Sequence, residues 1–138
     1  MSPLNVLILI VEDDKYMNET IREVLEDEGF VIDSALNAVD ALIKVKHGHK
    51  KYHILLLDYN LDDRYGINGI DIFETAKTIN PGVKGIMISA YGEKLIKQKC
   101  RQNGIDMFID KPFRVNDLIK SVKNLAEEYP GEEKAVEY

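Results

Sequence analysis

The sequence predicts an α/β protein built on one parallel sheet, with five strands and five helices that cover both faces of the sheet. Short runs of Val, Ile and Leu alternate along the chain with segments whose apolar residues recur at helical spacing. Strict alternation of this kind is typical of a doubly wound parallel sheet, because each crossover helix packs on one face. With 138 residues, the chain is too short for a closed barrel of eight strand–helix units.

Five segments have the length and composition of strands. The first, third and fourth are continuous apolar runs, which indicates burial on both faces and central positions in the sheet. The second and fifth alternate between apolar and polar residues, as edge strands do. This division agrees with the doubly wound strand order 2-1-3-4-5 of flavodoxin-like proteins. In chain order, the predicted strands are Leu4–Val11, Phe30–Ala35, Tyr52–Leu57, Val83–Ser89 and Ile105–Ile109.

Each predicted strand is followed by a segment with the pattern of an amphipathic helix. Asp14 and Asn37 are placed to cap the first and second helices. Gly29 and Gly104 are placed to end the first and fourth helices. In chain order, the predicted helices are Tyr16–Glu28, Ala38–Lys46, Gly69–Ile79, Glu93–Asn103 and Arg114–Glu128.

Composition limits the functions that are open to this chain. Its 18 basic and 24 acidic residues give a net charge of −6, which makes it a poor candidate for direct nucleic-acid binding. One cysteine, Cys100, excludes an internal disulfide framework and favours the cytoplasm. No apolar run is long enough to span a membrane, and no signal peptide is expected. Residues 1–128 are predicted to form one domain, followed by a solvated tail or linker remnant at 129–138.

Acidic side chains follow two neighbouring strands of the predicted sheet. Glu12 and Asp13 come directly after the first strand, and Asp58 comes directly after the third. These strands meet at the switch point of the order 2-1-3-4-5, so we expect their carboxylates to converge. Like charges in one crevice need compensation, and Mg²⁺ prefers carboxylate oxygens. Lys111, near the end of the fifth strand, adds a fixed positive charge.

These groups are the parts required for phosphoryl transfer. Ser89 supplies a hydroxyl at the end of the fourth strand, beside the predicted Mg²⁺ site and the ammonium of Lys111. A metal ion, an ammonium and a hydroxyl around one carboxylate can stabilise a transferring phosphoryl group. Asp58 lies at the centre and is therefore the predicted nucleophile, whose product would be an aspartyl phosphate.

Four segments of the sequence resemble the receiver domain of two-component response regulators, including the chemotaxis regulators. Each motif is weak alone, but the four occur in the order and spacing of that family. Together with the five strand–helix units, they cover roughly residues 4–128. The four segments are Leu7-Ile-Leu-Ile-Val-Glu-Asp-Asp14, Ile54-Leu-Leu-Leu-Asp58, Met87-Ile-Ser-Ala90 and Asp110-Lys-Pro-Phe113.

The resemblance implies a role for each matching acidic position. Asp58 matches the residue that is phosphorylated from a phosphohistidine of a histidine kinase or histidine phosphotransfer protein. Asp13, Asp58 and the main-chain carbonyl of Asn60 would coordinate Mg²⁺ directly. Glu12 would act through a metal-bound water.

The resemblance also implies roles for positions around the phosphoryl group. Ser89 would hydrogen-bond one phosphoryl oxygen and, as in the family, would shift together with a switch aromatic, here Phe108. Lys111 would pair with another phosphoryl oxygen, and the Lys111–Pro112 bond matches one that is usually cis. Asn60 and Tyr91 match positions that tune the lifetime of the aspartyl phosphate.

The function implied is a signalling switch whose fourth-helix, fifth-strand and fifth-helix face changes on phosphorylation. A downstream protein or a fused output domain would read this change, and the chain would be a monomer or a phosphorylation-dependent dimer. It would catalyse only its own phosphorylation and dephosphorylation. Two alternatives remain: a phosphorylation-independent protein-binding module, and a small aspartate-nucleophile phosphatase. The phosphatase class uses an Asp-x-Asp pattern, whereas Asp58 is followed by Tyr59-Asn60.

Three features depart from the motifs or lie outside them. The segment Tyr59–Asn68 is longer than the usual loop of the family, with Asp62 where proline is common. A histidine cluster is expected to be a solvated turn rather than a metal site. The basic fourth helix is either a solvated face or a docking surface. The histidines are His47, His49 and His53.

Overall fold

Five strand–helix units follow one another in a computed structural model that describes residues 6–48, 51–61, 64–90 and 94–128. The strands are β1 (Leu7–Val11), β2 (Val31–Ala35), β3 (Ile54–Asp58), β4 (Lys84–Ala90) and β5 (Met107–Lys111). The helices are α1 (Lys15–Asp27), α2 (Ala38–His47), α3 (Gly69–Ile79), α4 (Lys94–Gln102) and α5 (Val115–Glu127). No helix within these described ranges has the length and apolar character needed to cross a membrane.

The strands form one parallel sheet in the order β2-β1-β3-β4-β5, which confirms the predicted order. Every residue of β3 is buried, as expected for the central strand, whereas the edge strands β2 and β5 include partly exposed residues. Because β2 pairs on one side of β1 and β3 pairs on the other, the switch point lies between β1 and β3. The carboxyl ends of these two strands therefore border one crevice.

Helices cover both faces of the sheet and bury two apolar cores. On one face, α1 and α5 pack against the central strands and bury Ile21, Leu25 and Leu118. On the other face, α2, α3 and α4 pack against the sheet, and the largest fully buried side chain is Phe73 of α3. Within α4, Cys100 is the buried residue, so apolar burial anchors this helix less than the others.

The four predicted cap and end residues lie at the ends of their helices. The Asp14 carboxylate accepts a hydrogen bond from the backbone N–H of Met17, and Asn37 caps α2 in the same way. Gly29 and Gly104 follow α1 and α4 with φ values of 98° and 82°. A side chain opposes this left-handed conformation, which explains why glycine ends both helices.

The fifth strand lies further along the chain than the sequence predicts. It begins at Met107 rather than at Ile105, because the backbone N–H of Ile105 donates to Cys100 O and closes the turn after α4. It ends at Lys111 rather than at Ile109 and pairs Lys111 with Ala90 of β4. The sheet itself therefore fixes the backbone of Lys111.

Three residues lie differently from what the pattern of the sequence suggests. Ile79 and Val115 continue the apolar stripes of their helices, but they are 50% and 39% exposed because each is a terminal residue of its helix. His53 is not a solvated turn residue, since its Nδ1 accepts a hydrogen bond from the backbone N–H of Leu7 at 2.9 Å. His47 is exposed at the end of α2, and His49 lies outside the described residues.

A carboxylate of the edge strand β2 forms the centre of a polar cluster. The Tyr52 hydroxyl donates to Asp33 Oδ2 at 2.6 Å, and Lys44 Nζ lies 3.3 Å from Asp33 Oδ1. Burial opposes the charge of Asp33, but the hydrogen bond from Tyr52 and the charge of Lys44 outweigh it and lower the pKa of Asp33. The cluster therefore stabilises the fold through the ionised form of Asp33.

We expect Asp33→Asn to lower the free energy of unfolding by about 1–2 kcal/mol at neutral pH, because charge-assisted hydrogen bonds to the carboxylate are lost. A lowered folded-state pKa means that this contribution is complete above the unfolded pKa of about 4. It is lost as the pH falls through the folded value. Urea unfolding of both proteins at neutral and acidic pH measures the difference, and an undiminished difference in acid would contradict the assignment.

Candidate functional site

Three carboxylates converge at the carboxyl ends of β1 and β3. Glu12 and Asp13 directly follow β1, and Asp58 is the last residue of β3. One carboxylate oxygen from each residue lies within 4.8 Å of the others. Glu12 and Asp58 are only 2% and 3% exposed, and Asp13 is half-buried. The adjacency of the two strands thus gathers a set of acidic oxygen ligands in one crevice.

Lys111 brings a positive charge to this crevice from the end of β5. Its Nζ donates to Asp58 Oδ2 at 3.1 Å and to Glu12 Oε1 at 3.4 Å. Burial alone would lower the pKa of Lys111, but the hydrogen bond and charge of Asp58, together with Glu12, raise it. The lysine is therefore charged throughout the neutral range and is held against both carboxylates.

Glu12 has a raised pKa in this crevice. Burial raises the pKa of Glu12 to about 7, and the negative charge of Asp58 adds to this effect. The backbone N–H of Asp14, 3.1 Å from Glu12 Oε2, and the charge of Lys111 act in the opposite direction. Burial is therefore the main cause of the raised pKa of Glu12, and the positive charge of Lys111 does not offset it.

Asp58 is held at both of its carboxylate oxygens. The backbone N–H of Asn60 donates to Asp58 Oδ1 at 3.0 Å, while Lys111 occupies Oδ2. The backbone N–H of Tyr59 donates to Ile88 O at 2.8 Å, which ties the start of the following loop to β4. The nucleophile predicted from sequence is therefore fixed in position by backbone as well as by side-chain contacts.

Asn18 of α1 is a buried residue that sequence reasoning missed, and it holds the backbone at the base of the acidic crevice. Its side-chain amide donates to Glu12 O at 3.0 Å and to Ala35 O at 3.1 Å, and the residue is 3% exposed. These bonds join the ends of β1 and β2 to α1. The sequence does indicate a buried polar group here, because Asn18 has the helical spacing of Ile21 and Leu25 and lies with them on the buried face of α1.

Ser89 lies at the end of β4, between the strands that carry Asp58 and Lys111. It is fully buried, and its Oγ is 3.5 Å from Ala90 O. The order β3-β4-β5 places this hydroxyl at the carboxyl ends of the strands, where the carboxylate cluster and the ammonium also lie. The structure therefore brings Ser89, Lys111 and Asp58 together at the carboxyl ends of the strands.

Phe108 of β5 contacts Lys97 of α4, a residue that the sequence pattern does not assign to this site. Its half-buried ring packs against the core beneath α4, and Lys97 Nζ lies 5.3 Å from the ring centroid. The same ammonium donates to Asp110 Oδ2 at 3.0 Å. Lys97 thus joins α4 to β5 immediately before Lys111, by an ion pair and a cation–π contact.

The remaining expectations concern the backbone and the loops. The Lys111–Pro112 peptide bond is cis. Tyr91, Asp62 and the tail at 129–138 lie outside the described residues.

The donor set fits a hard divalent cation. Clustered carboxylate oxygens, two of them almost fully buried, are the ligands that Mg²⁺ and Ca²⁺ take in proteins. Three carboxylates lie beside the ammonium of Lys111, so a bound cation would offset negative charge in this cluster. With a fixed ammonium beside Asp58, the crevice can bind a metal ion and stabilise an anionic group at the same carboxylate.

Comparisons with known proteins identify relatives of this chain. The transcriptional regulatory protein CusR of Escherichia coli K12 is 31% identical over 86% of this chain, and this chain spans about half of its length (50%). The sporulation initiation phosphotransferase F of Bacillus subtilis is 30% identical, with 87% of this chain and 93% of that protein covered. Because the chain spans only half of CusR, the similarity there concerns one part of a longer protein.

Solved structures show the same fold. A response regulator receiver domain protein of Methanospirillum hungatei, described as CheY-like, superposes with a TM-score of 0.78 and 30% identity. The match covers 88% of this chain and 94% of that one. The family model of the response regulator receiver domain matches residues 8–123, which include every described residue of the site. This chain therefore belongs to the response regulator receiver domain family.

Proposed function

We propose that the chain is a phospho-accepting switch of a two-component phosphorelay. In this proposal, Asp58 takes the phosphoryl group from a phosphohistidine of a histidine kinase or histidine phosphotransfer protein. The observation that carries it is the 3.1 Å contact between Lys111 Nζ and Asp58 Oδ2 inside a cluster of three carboxylates. Similarity to a sporulation phosphotransferase over almost its whole length supports a relay function.

In the proposed step, a carboxylate oxygen of Asp58 attacks the phosphorus atom. A new P–O bond forms and the P–N bond to the imidazole breaks, and its electron pair stays on the ring nitrogen, which takes up a proton. Lys111 stabilises the negative charge on the phosphoryl oxygens, because it is already held at Asp58 and needs little reorganisation. Ser89 would donate a hydrogen bond to another phosphoryl oxygen.

Mg²⁺ is the proposed cofactor. Asp13, Asp58 and the main-chain carbonyl of Asn60 would hold it, with Glu12 acting through a bound water. When bound, Mg²⁺ neutralises charge on the phosphoryl group and on the acidic cluster. The backbone N–H of Asn60 holds the Asp58 carboxylate, and the Asn18 side chain holds the backbone carbonyl of Glu12, so both acidic residues are positioned by the chain itself.

We expect Asp13→Asn to weaken Mg²⁺ binding by about 10–100-fold, because an anionic ligand becomes neutral. Isothermal titration calorimetry of the folded chain measures this affinity. Asp14→Asn is the matched control, since it removes the same charge one residue away and asparagine caps α1 as well as aspartate does. An equal loss in both variants would show that general charge, not ligation by Asp13, determines the affinity.

Phosphorylation is proposed to change the face formed by α4, β5 and α5. Movement of Ser89 toward the phosphoryl group would alter the end of β4, and Phe108 on the neighbouring strand would change its packing. Phenylalanine has no hydroxyl, so the contacts available to its ring are packing and the cation of Lys97. A downstream protein or a fused output domain would read this face, with the chain as a monomer or a phosphorylation-dependent dimer in the cytoplasm.

The remaining assignments follow from the same proposal. Asn60 and Tyr91 would tune the lifetime of the aspartyl phosphate, and the chain would catalyse only its own phosphorylation and dephosphorylation. Residues 1–128 would form the receiver unit, with 129–138 as a solvated tail or linker. No direct contact with nucleic acid or membrane is proposed for this chain.

Incubation with acetyl phosphate and Mg²⁺, followed by intact mass spectrometry, tests the proposal. We expect one phosphoryl group on the unaltered chain, and none on Asp58→Asn or when a chelator removes Mg²⁺. Equal labelling of the Asp58→Asn protein would overturn the proposed nucleophile. Repeated turnover of a small phosphate ester would instead favour the phosphatase alternative. Partner binding that Asp58→Ala leaves unchanged would favour the binding module.

A further inference from the structure

The turn that carries Asp13 joins the first strand to the first helix. β1 ends at Val11, and α1 begins at Lys15. The turn between them consists of Glu12, Asp13 and Asp14, so Asp13 is its middle residue. A metal ligand is oriented by the groups that hold it in place. The direction of the Asp13 carboxylate therefore depends on how firmly the backbone on either side of it is held.

The second half of the turn is held by the beginning of α1. The backbone N–H of Asn18 donates to Asp14 O at 2.9 Å, and the Asp14 carboxylate accepts from the backbone N–H of Met17 at 3.0 Å. The backbone N–H of Asp14 donates to Glu12 Oε2 at 3.1 Å. Asp14 is therefore tied at its N–H, its carbonyl and its side chain.

The first half of the turn depends on the side chain of Asn18. The backbone N–H of Glu12 donates to Ala35 O at 3.2 Å, which extends the ladder between β1 and β2 by one bond. β2 ends at Ala35, and the donor to Glu12 O comes instead from Asn18 Nδ2 at 3.0 Å. The same amide donates to Ala35 O at 3.1 Å. Asn18 therefore supplies the bond that a longer β2 would have made.

The amide of Asn18 acts where water is excluded. Asn18 is 3% exposed, and the residues whose carbonyls it binds, Glu12 and Ala35, are 2% and 1% exposed. A buried carbonyl that loses its donor is costly, so an apolar side chain at this position would leave two carbonyls unsatisfied. The backbone would shift to find new partners, and Asp13 directly follows one of the two carbonyls.

We propose that Asn18 is a positioning residue for the metal site: its amide fixes the backbone of Glu12 and so orients the carboxylate of Asp13 toward the cation. This role rests on the proposed function, because it takes Asp13 as a ligand of Mg²⁺. The hydrogen bonds of Asn18 in the described part of the chain join backbone carbonyls rather than carboxylate oxygens. Its loss is therefore expected to change the affinity for Mg²⁺ more than the rate of the reaction once the metal is bound.

Isothermal titration calorimetry with Mg²⁺ on the full chain tests the proposal. We expect Asn18→Leu, which has a similar shape but no amide, to weaken Mg²⁺ binding by about tenfold. Asn18→Ala is the second variant, since it leaves room for a water molecule at the two carbonyls and is expected to fold even if the leucine variant does not. A water molecule satisfies the carbonyls without fixing the turn, so this variant is expected to bind Mg²⁺ about threefold or more weakly.

Ile21→Ala is the matched control for stability. Ile21 is buried on the same face of α1, one turn beyond Asn18, and packs in the apolar core. Its truncation destabilises the chain but removes no hydrogen bond from the turn. We expect this variant to bind Mg²⁺ as the unaltered chain does, and urea unfolding compares its stability with that of the Asn18 variants.

The Mg²⁺ dependence of phosphorylation by acetyl phosphate gives a second measurement. For Asn18→Ala, we expect the Mg²⁺ concentration at half-maximal rate to rise by the same factor as the dissociation constant. The rate at saturating Mg²⁺ is expected to stay close to that of the unaltered chain. A residue that only supports the fold would move neither value in the folded protein.

The proposal is overturned if both Asn18 variants bind Mg²⁺ normally, or if Ile21→Ala loses as much affinity as they do. Asp13→Asn distinguishes this failure from failure of the proposed function. If Asp13→Asn also leaves Mg²⁺ binding unchanged, the proposed metal site itself is wrong. If Asp13→Asn weakens binding and the Asn18 variants do not, only the role given to Asn18 is wrong.

Discussion

Lys111→Met is expected to slow phosphorylation of Asp58 by about 10²–10³-fold, because it removes a preorganised cation from the reacting carboxylate. Lys111 Nζ is the group that contacts both Asp58 Oδ2 and Glu12 Oε1, and β5 fixes its backbone beside β4. Methionine keeps most of the volume and the flexibility of the side chain but not the charge. The rate of phosphoryl incorporation from acetyl phosphate, followed by intact mass spectrometry, measures the effect.

Two controls separate this effect from loss of the metal or of the fold. Lys111→Met is expected to bind Mg²⁺ at least as tightly as the unaltered chain, because a competing positive charge has left the cluster. Lys120→Met, at an exposed position of α5, is expected to react at the normal rate. If Lys111→Met reacts normally, or reacts slowly only because Mg²⁺ no longer binds, the role given to Lys111 is wrong.

Phe73→Ala is expected to lower the free energy of unfolding by about 3–5 kcal/mol, the largest stability effect that we predict. The ring is fully buried in the core beneath α2, α3 and α4. It packs directly on the sheet, because a Cβ placed at Gly85 of β4 would lie 2.6 Å from a ring carbon. Removing the ring would leave a cavity that the surrounding strands cannot close. Urea unfolding of the variant measures the loss.

Gly85→Ala tests the same contact from the other side. Alone it is expected to destabilise the chain by about 1–3 kcal/mol, because the buried ring must shift to admit a methyl group. In the Phe73→Ala background, the added methyl group enters the cavity and the cost is expected to fall or disappear. Strictly additive losses in the double variant would show that the two positions do not contact each other as described.

The fold could be predicted well from the sequence, because buried strands and half-buried strands have different patterns of apolar residues. Continuous apolar runs marked β1, β3 and β4 as central, and alternation marked β2 and β5 as edges, a division that agrees with the doubly wound order found in the sheet. The same order placed Glu12 and Asp58 together, because the carboxyl ends of adjacent parallel strands share one edge. These predictions needed only the periodicity of each element.

Contacts between particular side chains could not be predicted in this way. Lys97 reaches Asp110 and Phe108 because of how α4 lies on the sheet, and no local pattern encodes that position. Helical periodicity places Asn18 on the buried face of α1, but it does not show that the backbone carbonyls of Glu12 and Ala35 are the acceptors of its amide. The start of β5 depended on the hydrogen bond that closes the turn after α4, which is a detail of the backbone rather than of hydrophobicity.

Reduction of the phosphorylated chain with borohydride tests the central claim most directly. Borohydride converts an acyl phosphate on aspartate into homoserine, and peptide mass mapping then locates the modified residue. After treatment with acetyl phosphate and Mg²⁺, we predict homoserine at Asp58 and unmodified side chains at Glu12 and Asp13. Homoserine at another acidic residue, or none in a chain that binds Mg²⁺ and remains folded, would contradict the account.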